Sequence, residues 1–283
     1  MSGMRENPRI TAADIKRMED LYGLNKPIWE QYLHWMRGVV TGFWGVSYRN
    51  GLPVWEAIRE RLPNTLRLMS ASFIVSVGLA IPVGIASAVK RYTVFDYSVT
   101  TLSFIGLALP SFWFGMMLQL IFSVRLGWLP SAGVGAIGEP TGVIDSLRYL
   151  FMPTIVLGLV SIAGWSRYMR ASMLDTIFQD YIRTAKAKGL SARAVIGKHA
   201  MKNAMIPIVT IIGLDLPTFF GGAAITERIF AWPGMGRLYV DSIFTRDYPI
   251  LMGVLMLTAL LVVAGNLAAD VLYAFLDPRI KYD

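Results

Sequence analysis

Leu66–Val89 reads LRLMSASFIVSVGLAIPVGIASAV, and Arg67 is its single charged residue. A helix crosses about 30 Å of hydrocarbon with roughly 20 apolar residues, so a run of this length and character reads as a membrane span. Four further runs meet the same test: Tyr97–Val124, Tyr149–Trp165, Ile206–Ile225 and Pro249–Phe275. Each span carries glycine or proline: Pro82 and Gly84, Pro110, Pro153, Gly213 with Pro217, and Gly253 with Gly265. Such residues are tolerated in lipid where neighbouring helices satisfy the freed backbone groups, and small residues let helices approach closely. Composition agrees with the spans. The chain is 54% hydrophobic and 16% charged, with mean hydropathy +0.50, whereas soluble domains run near 45–50% and about 25%. The expected fold is therefore an all-α polytopic membrane helix bundle with five visible transmembrane helices.

The loops orient the bundle. Lys90–Asp96, Ser166–Met205 and the C-terminal tail carry twelve Lys and Arg, against five in Arg125–Arg148 and Thr226–Tyr248. By the positive-inside rule the first set, and the C-terminus, face the cytoplasm. The net charge of +8 thus flanks apolar runs, which is the distribution of a membrane protein and not of a nucleic-acid binder. Without cysteine the chain has no disulfide, thiolate nucleophile or thiolate metal ligand. His34 and His199 are its two histidines, and no metal site is expected.

Five crossings place residues 1–64 outside as an amphipathic unit, ahead of a transmembrane part over 65–283. Thr11 opens a Thr-Ala-Ala-Asp capping pattern, Asp14–Tyr22 has helical spacing, Lys26-Pro27 breaks it, and Ile28–Val40 reads as a second, aromatic-rich helix. No apolar stretch in Met1–Asn64 can act as signal or first anchor. An upstream crossing is expected for that reason.

Between the third and fourth spans, residues 166–205 carry an ordered punctuation. Arg167–Lys188 contains neither proline nor glycine and reads as a helix leaving the membrane. Gly189 ends it as a residue free to adopt positive φ, Ser191 caps a second helix over Ala192–Ala204, and Pro207 opens the next span. A compact helical knob is expected there, where a lone basic run would be a solvated membrane-surface loop. At the other face, Phe230–Arg237 combines Trp232, an interfacial anchor type, with Pro233, Gly234 and Gly236, which impose an irregular turn before a short helix Leu238–Phe244. Asp215 and Asp270 fall within spans. Each is either a pathway group or a structural hydrogen-bond partner, the latter for Asp270 with Asn266 on its own helix. The methionines, including Met116-Met117, Met252 and Met256, read as core gap-fillers.

The stretch Tyr181-Ile-Arg-Thr-Ala-Lys-Ala-Lys-Gly189-Leu-Ser, continued by Lys198-His-Ala-Met-Lys-Asn203-Ala-Met-Ile-Pro207, resembles the Glu-Ala-Ala loop of ABC-importer permeases. Arg183 stands at the Glu position and Thr184 at the first Ala, while Ala185 and Gly189 match. The resemblance extends through Leu62-Pro-Asn-Thr-Leu66, Leu109-Pro-Ser-Phe-Trp113, Leu129-Pro130, Glu227-Arg-Ile-Phe-Ala-Trp-Pro-Gly-Met-Gly-Arg237, Arg246-Asp-Tyr-Pro249 and Leu276-Asp-Pro-Arg-Ile-Lys-Tyr282. Together these are similar to a permease subunit of dipeptide/oligopeptide importers. Variants of that scaffold import nickel chelates or glutathione, and the sequence does not separate them.

The resemblance implies a type I importer permease fold with six helices in the family, one half of a translocation path in the inner (cytoplasmic) membrane. It implies a second homologous permease, two ATP-binding subunits and an extracytoplasmic substrate-binding protein as partners. Arg183, Ala185, Gly189, Ser191, His199, Asn203 and Pro207 would couple to the ATPases, with Ala185 keeping the docking surface small. Asp215 and Pro217 would belong to the translocation path, and Trp232, Pro233, Gly234 and Gly236 to an external gate. The subunit is expected to be no enzyme and to hold no cofactor: Gly197-Lys198 lacks the Ser/Thr and the upstream glycines of a nucleotide loop, so ATP would bind the partners. The rival reading is a proton-coupled secondary carrier using Asp215 and Asp270. It predicts paired internal repeats and transport without an ATPase, and no clear repeat is visible. An intramembrane enzyme would need a catalytic constellation where only isolated residues stand.

Overall fold

A computed structural model describes residues 25–135, 142–215 and 218–276, with backbone alone at 218, 220–222, 268–270 and 272–276. Thr11, Asp14–Tyr22, Pro217 and the tail motif from Asp277 onward lie outside the described residues, as does the side chain of Asp270. Among the described residues the regular structure is helical, apart from one antiparallel bridge between Val46 and Pro53.

Helix α1 spans Ile28–Val40, the bounds its amphipathic pattern predicts, and starts directly after Pro27. Helix α2, Val54–Val89, begins well before the apolar run, so the end of the expected N-terminal unit and the first apolar run share one continuous helix. Pro82 lies inside it. Proline lacks an N–H and its ring crowds the carbonyl four residues back; that residue is Gly78, which has open space around it.

Thr93 caps helix α3 (Val94–Ala108). Tyr97–Val124 was expected as one span, but it is a bent pair. Residues before proline avoid the helical region; Leu109 accordingly sits at ψ 126, and helix α4 (Ser111–Leu118) leaves at 106° to α3. A π-helical turn, Gln119–Arg125, extends α4.

Helix α5 (Val143–Ile177) runs through Pro153. The expected continuous helix over Arg167–Lys188 breaks at Phe178–Gln179, where Gln179 turns extended (ψ 151) and starts helix α6, Asp180–Ala187. A one-turn helix α7 (Ala192–Ala194) passes through a π-helical turn, Val195–Ala200, into helix α8, Met201–Asp215. Pro207 therefore does not open a span. It lies inside α8, where its missing N–H leaves the Asn203 carbonyl without its helical donor. Helices α9 (Thr218–Ile229), α10 (Met235–Thr245) and α11 (Tyr248–Leu276) complete the chain.

Among the described residues, α2, α5 and Tyr248–Leu267 of α11 are each long and apolar enough to cross a membrane, and α3 with α4 make a fourth span if counted together. The expected span Ile206–Ile225 runs across residues 216–217, outside the description.

Helix α2 packs along α5. Lipid offers no hydrophobic drive for this pairing, so close approach of small residues has to supply it. Gly84 provides that contact: a Cβ there would stand 2.6 Å from Met169 Cβ and 2.6 Å from the Ser166 carbonyl oxygen. Farther along the same crossing, Gly158 lies against Ser76, whose hydroxyl donates to the Gly158 carbonyl at 3.3 Å. Between α2, α5 and α9, the rings of Phe73, Trp165 and Phe219 meet at centroid distances of 6.0–6.1 Å.

Candidate functional site: a knob at one end and a hub at the other

The knob is α6, the Gly189 turn, α7 and the start of α8. Gly189 has φ +76, and nothing lies within 4 Å of the place a Cβ would take, so the turn selects glycine through its backbone and not through crowding. Ser191 Oγ accepts from the Ala194 N–H at 3.3 Å, the cap expected from the sequence. Asn203 Nδ2 donates to the Tyr181 hydroxyl at 2.7 Å and closes the return helix onto α6.

Hydrophobic burial holds this unit on the bundle. Ile182, Ala185, Val195, Ala200 and Ala204 point inward into one core with Ala88, Met169 and Met173. Ala185 is thus 6% exposed and faces the chain's own helix bundle. Its small side chain lets α6 lie close to its own bundle, which corrects its expected place on a docking surface. Arg183, Lys186, Lys188, Arg193, Lys198 and Lys202 remain exposed around it, with Pro207 exposed and His199 half-buried on the π turn. Arg183 pairs with Asp180 at 3.6 Å with both side chains well exposed, a contact worth at most about 1 kcal/mol.

Arg170, which entered the sequence analysis only through its charge, and Asp96, there only a loop boundary, meet at the root of the knob. Arg170 of α5 donates from Nε to Asp96 Oδ1 at 2.6 Å and from Nη2 to Oδ2 at 2.7 Å. Ser87 also donates to Asp96, and the Tyr92 N–H does so at 3.0 Å. Asp96 is 1% exposed in the first turn of α3. The Arg170 fork, the Ser87 hydroxyl and the Tyr92 N–H together satisfy this buried carboxyl. The Thr93-x-x-Asp96 capping pattern was the available signal.

Within the bundle, the Trp165 indole N–H donates to Asp215 Oδ2 at 2.8 Å, and Asp215 is half-buried at the end of α8.

At the far end, the residues expected at an external gate are brought together on α2. Trp232 is 1% exposed, and its indole donates to the Asn64 carbonyl at 2.9 Å. It is therefore an internal anchor and not a lipid-interface residue. Asn64 Nδ2 returns a hydrogen bond to the Pro233 carbonyl at 3.1 Å. Thr65 donates to Glu227 Oε1 at 2.6 Å and accepts from the Met235 N–H at 2.7 Å. Glu227 Oε2 takes the Arg237 N–H at 2.9 Å. Glu227 is fully buried; burial pushes its carboxyl up, against the lowering effect of its hydrogen-bond donors.

Gly234 and Gly236 are required by contact. A Cβ at Gly234 would overlap the Glu227 carboxylate, and one at Gly236 would overlap the Ala224 backbone. Nearby, Asp247 is 4% exposed, accepts from Ser47 and from the Tyr48 N–H at 3.1 Å, and ties the loop before α2 to the start of α11. Glu227, Asn64, Thr65 and Asp247 lay inside quoted motifs, yet hydropathy and spacing carry no signal for their pairing.

Comparison with known proteins gives consistent matches. Residues 80–282 match the family described as binding-protein-dependent transport system inner membrane component, and residues 7–69 match its N-terminal companion family. The oligopeptide transport system permease protein AppB of Bacillus subtilis is 48% identical over 277 residues, covering 98% of this chain and 88% of that protein. The dipeptide transport system permease protein DppB of Escherichia coli K12 is 40% identical over 281 residues, covering 92% and 83%. Among solved structures, a chain of the inward-facing MetNI methionine ABC transporter is similar with TM-score 0.64 at 17% identity, covering 79% of this chain and 97% of that one; at that identity it shows the fold alone, which agrees with the expected helical architecture. With relatives of this identity and a family match over most of its length, the chain belongs to the inner membrane components of binding-protein-dependent transport systems, a family of transport subunits and not of enzymes.

Proposed function

We propose that the protein is the permease subunit of an ATP-binding-cassette importer for di- or oligopeptides, forming one half of the translocation path. The similarity to AppB and DppB across nearly the whole chain carries this reading. The knob then lies in the cytoplasm with the C-terminus, and the hub lies outside. Two ATP-binding subunits dock on the knob and bind the ATP; a second, homologous permease supplies the other half of the path; an external binding protein delivers cargo to the hub side. None of the comparisons favours the proton-coupled carrier.

In this reading Arg183, His199, Pro207 and the exposed lysines of the knob form the docking face, while Gly189, Ser191 and Asn203 hold its shape and Ala185 roots it in the bundle. Affinity purification of the tagged protein from its native membrane tests the assembly. Co-purifying ATPases and a second permease are expected, and recovery of the chain alone from membranes that keep other complexes intact would overturn it.

Gly189 gives a sharper test. Asparagine tolerates left-handed backbone, so Gly189→Asn should assemble and transport within about threefold of wild type. Gly189→Trp adds bulk into open space on the docking side. It should still insert, yet lose at least tenfold in uptake per ATP hydrolysed. Equal coupling in the two variants would remove the knob from the docking face.

Asp215 is the path residue of this proposal, with Pro217, its carboxylate held by the Trp165 indole and suited to a peptide's ammonium group. Asp215→Asn keeps the indole's acceptor and removes the charge. Uptake in membrane vesicles is expected to fall at least tenfold with partner recovery unchanged. Undiminished uptake would leave the carboxylate a purely structural partner of Trp165.

A further inference from the structure

We propose that the Asp96–Arg170 pair is the joint through which movement of the knob is passed to helices α2 and α3. The inference rests on the coupling reading above and concerns a step that reading leaves open, namely how force on the knob reaches the rest of the bundle. Three attachments converge within five residues of α5. Met169 and Met173 pack into the core shared with Ile182, Ala185 and Ala204 of the knob. Ser172 Oγ donates to the Ala204 carbonyl at 2.8 Å and ties α5 to the return helix. Arg170, on the same turn, grips Asp96 with two parallel hydrogen bonds. Gly84 of α2 lies against Met169 at the same level.

On the other side of the pair, Asp96 is not simply a surface carboxylate. It is held by the Ser87 hydroxyl from the last turn of α2 and by the Tyr92 backbone N–H, and it sits in the first turn of α3. One carboxylate therefore fastens the end of α2, the connecting turn and the start of α3 to a single guanidinium. A bidentate, charge-assisted contact resists both sliding and rotation, which apolar packing of methionine does not. Arg170 keeps about a quarter of its side chain exposed while Asp96 is buried, so opening the joint would strand a buried carboxylate and the closed pair is held firmly.

The test uses the complete transporter in proteoliposomes, with uptake and ATP hydrolysis measured on the same sample. Asp96→Asn and Arg170→Gln are expected to retain ATPase subunits and substrate-stimulated hydrolysis while uptake per ATP falls at least tenfold. Arg170→Lys keeps the charge without the fork; it should assemble and fall between them and wild type, and it reads the joint if the stronger variants fold poorly. The chain has no native cysteine, so an Asp96→Cys, Arg170→Cys double variant bridged by a short bifunctional thiol reagent isolates the mechanical role. Bridging should return uptake per ATP to within about threefold of wild type. An unaltered ratio in the charge variants, or a bridge that restores nothing, overturns the joint while wild-type coupling stands. Wild-type protein without substrate-stimulated hydrolysis overturns the coupling reading itself, and the joint with it.

Discussion

Gly236→Ala and Gly234→Ala are expected to bring peptide uptake to background and to lower the yield of folded subunit. At Gly236 the new methyl meets the Ala224 backbone, which cannot rotate away, and stands 2.8 Å from Ala224 Cβ. Overpacking typically costs about 1–3 kcal/mol, and a backbone obstacle belongs at the upper end. At Gly234 the obstacle is the Glu227 carboxylate. Displacing it would break the bonds from Thr65 and the Arg237 N–H in a fully buried site, where each orphaned polar group costs about 1–3 kcal/mol. Both variants should therefore shift the thermal midpoint of the detergent-solubilised subunit downward. Thr245→Ala, which removes only a local, exposed bond to the Asp241 carbonyl within α10, should not. Wild-type uptake and midpoint in the glycine variants would show that the turn relaxes and that Glu227 does not fix it on α2.

Gly84→Val should have the second large effect, and Gly78→Val on the same helix should be close to neutral. The two glycines sit in the same apolar run, and hydropathy treats them alike. Their surroundings differ: at Gly84 an added carbon meets Met169 and the Ser166 carbonyl at 2.6 Å, whereas at Gly78 nothing lies within 4 Å. A valine at Gly84 pushes α2 off α5, opening the Asp96–Arg170 contact and the Phe73–Trp165 packing on the same crossing. Loss of at least tenfold in uptake and a lower thermal midpoint are expected for Gly84→Val, with less than a twofold change for Gly78→Val. The opposite order, read by uptake in vesicles and by unfolding in detergent, would mean that α2 and α5 do not cross closely at Gly84.

The contrast between these glycines marks where sequence reading stops. The apolar runs, the basic loops, the bounds of Ile28–Val40, the Gly189 turn and the Ser191 cap were all legible, because each depends on residues within a few turns of one another. Bilayer thickness sets span length, positive charge sets loop side, and φ above zero or a first-turn N–H selects glycine or serine locally. The bend at Leu109-Pro110 was locally encoded too, although hydropathy alone merged its two arms into one span.

Tertiary structure decided the rest. Trp232 has the chemistry of an interface anchor, but packing against α2 buries it. Ala185 has the size for a docking surface, but amphipathic α6 turns it inward beside Ile182. The buried carboxylates show the reason most directly: Asp96 finds Arg170 at a separation of 74 residues, and Glu227 finds Thr65 at 162. A charge inside the bundle is stable only beside partners that satisfy it. Which partners those are depends on how the helices cross, and no local pattern of residues contains that information.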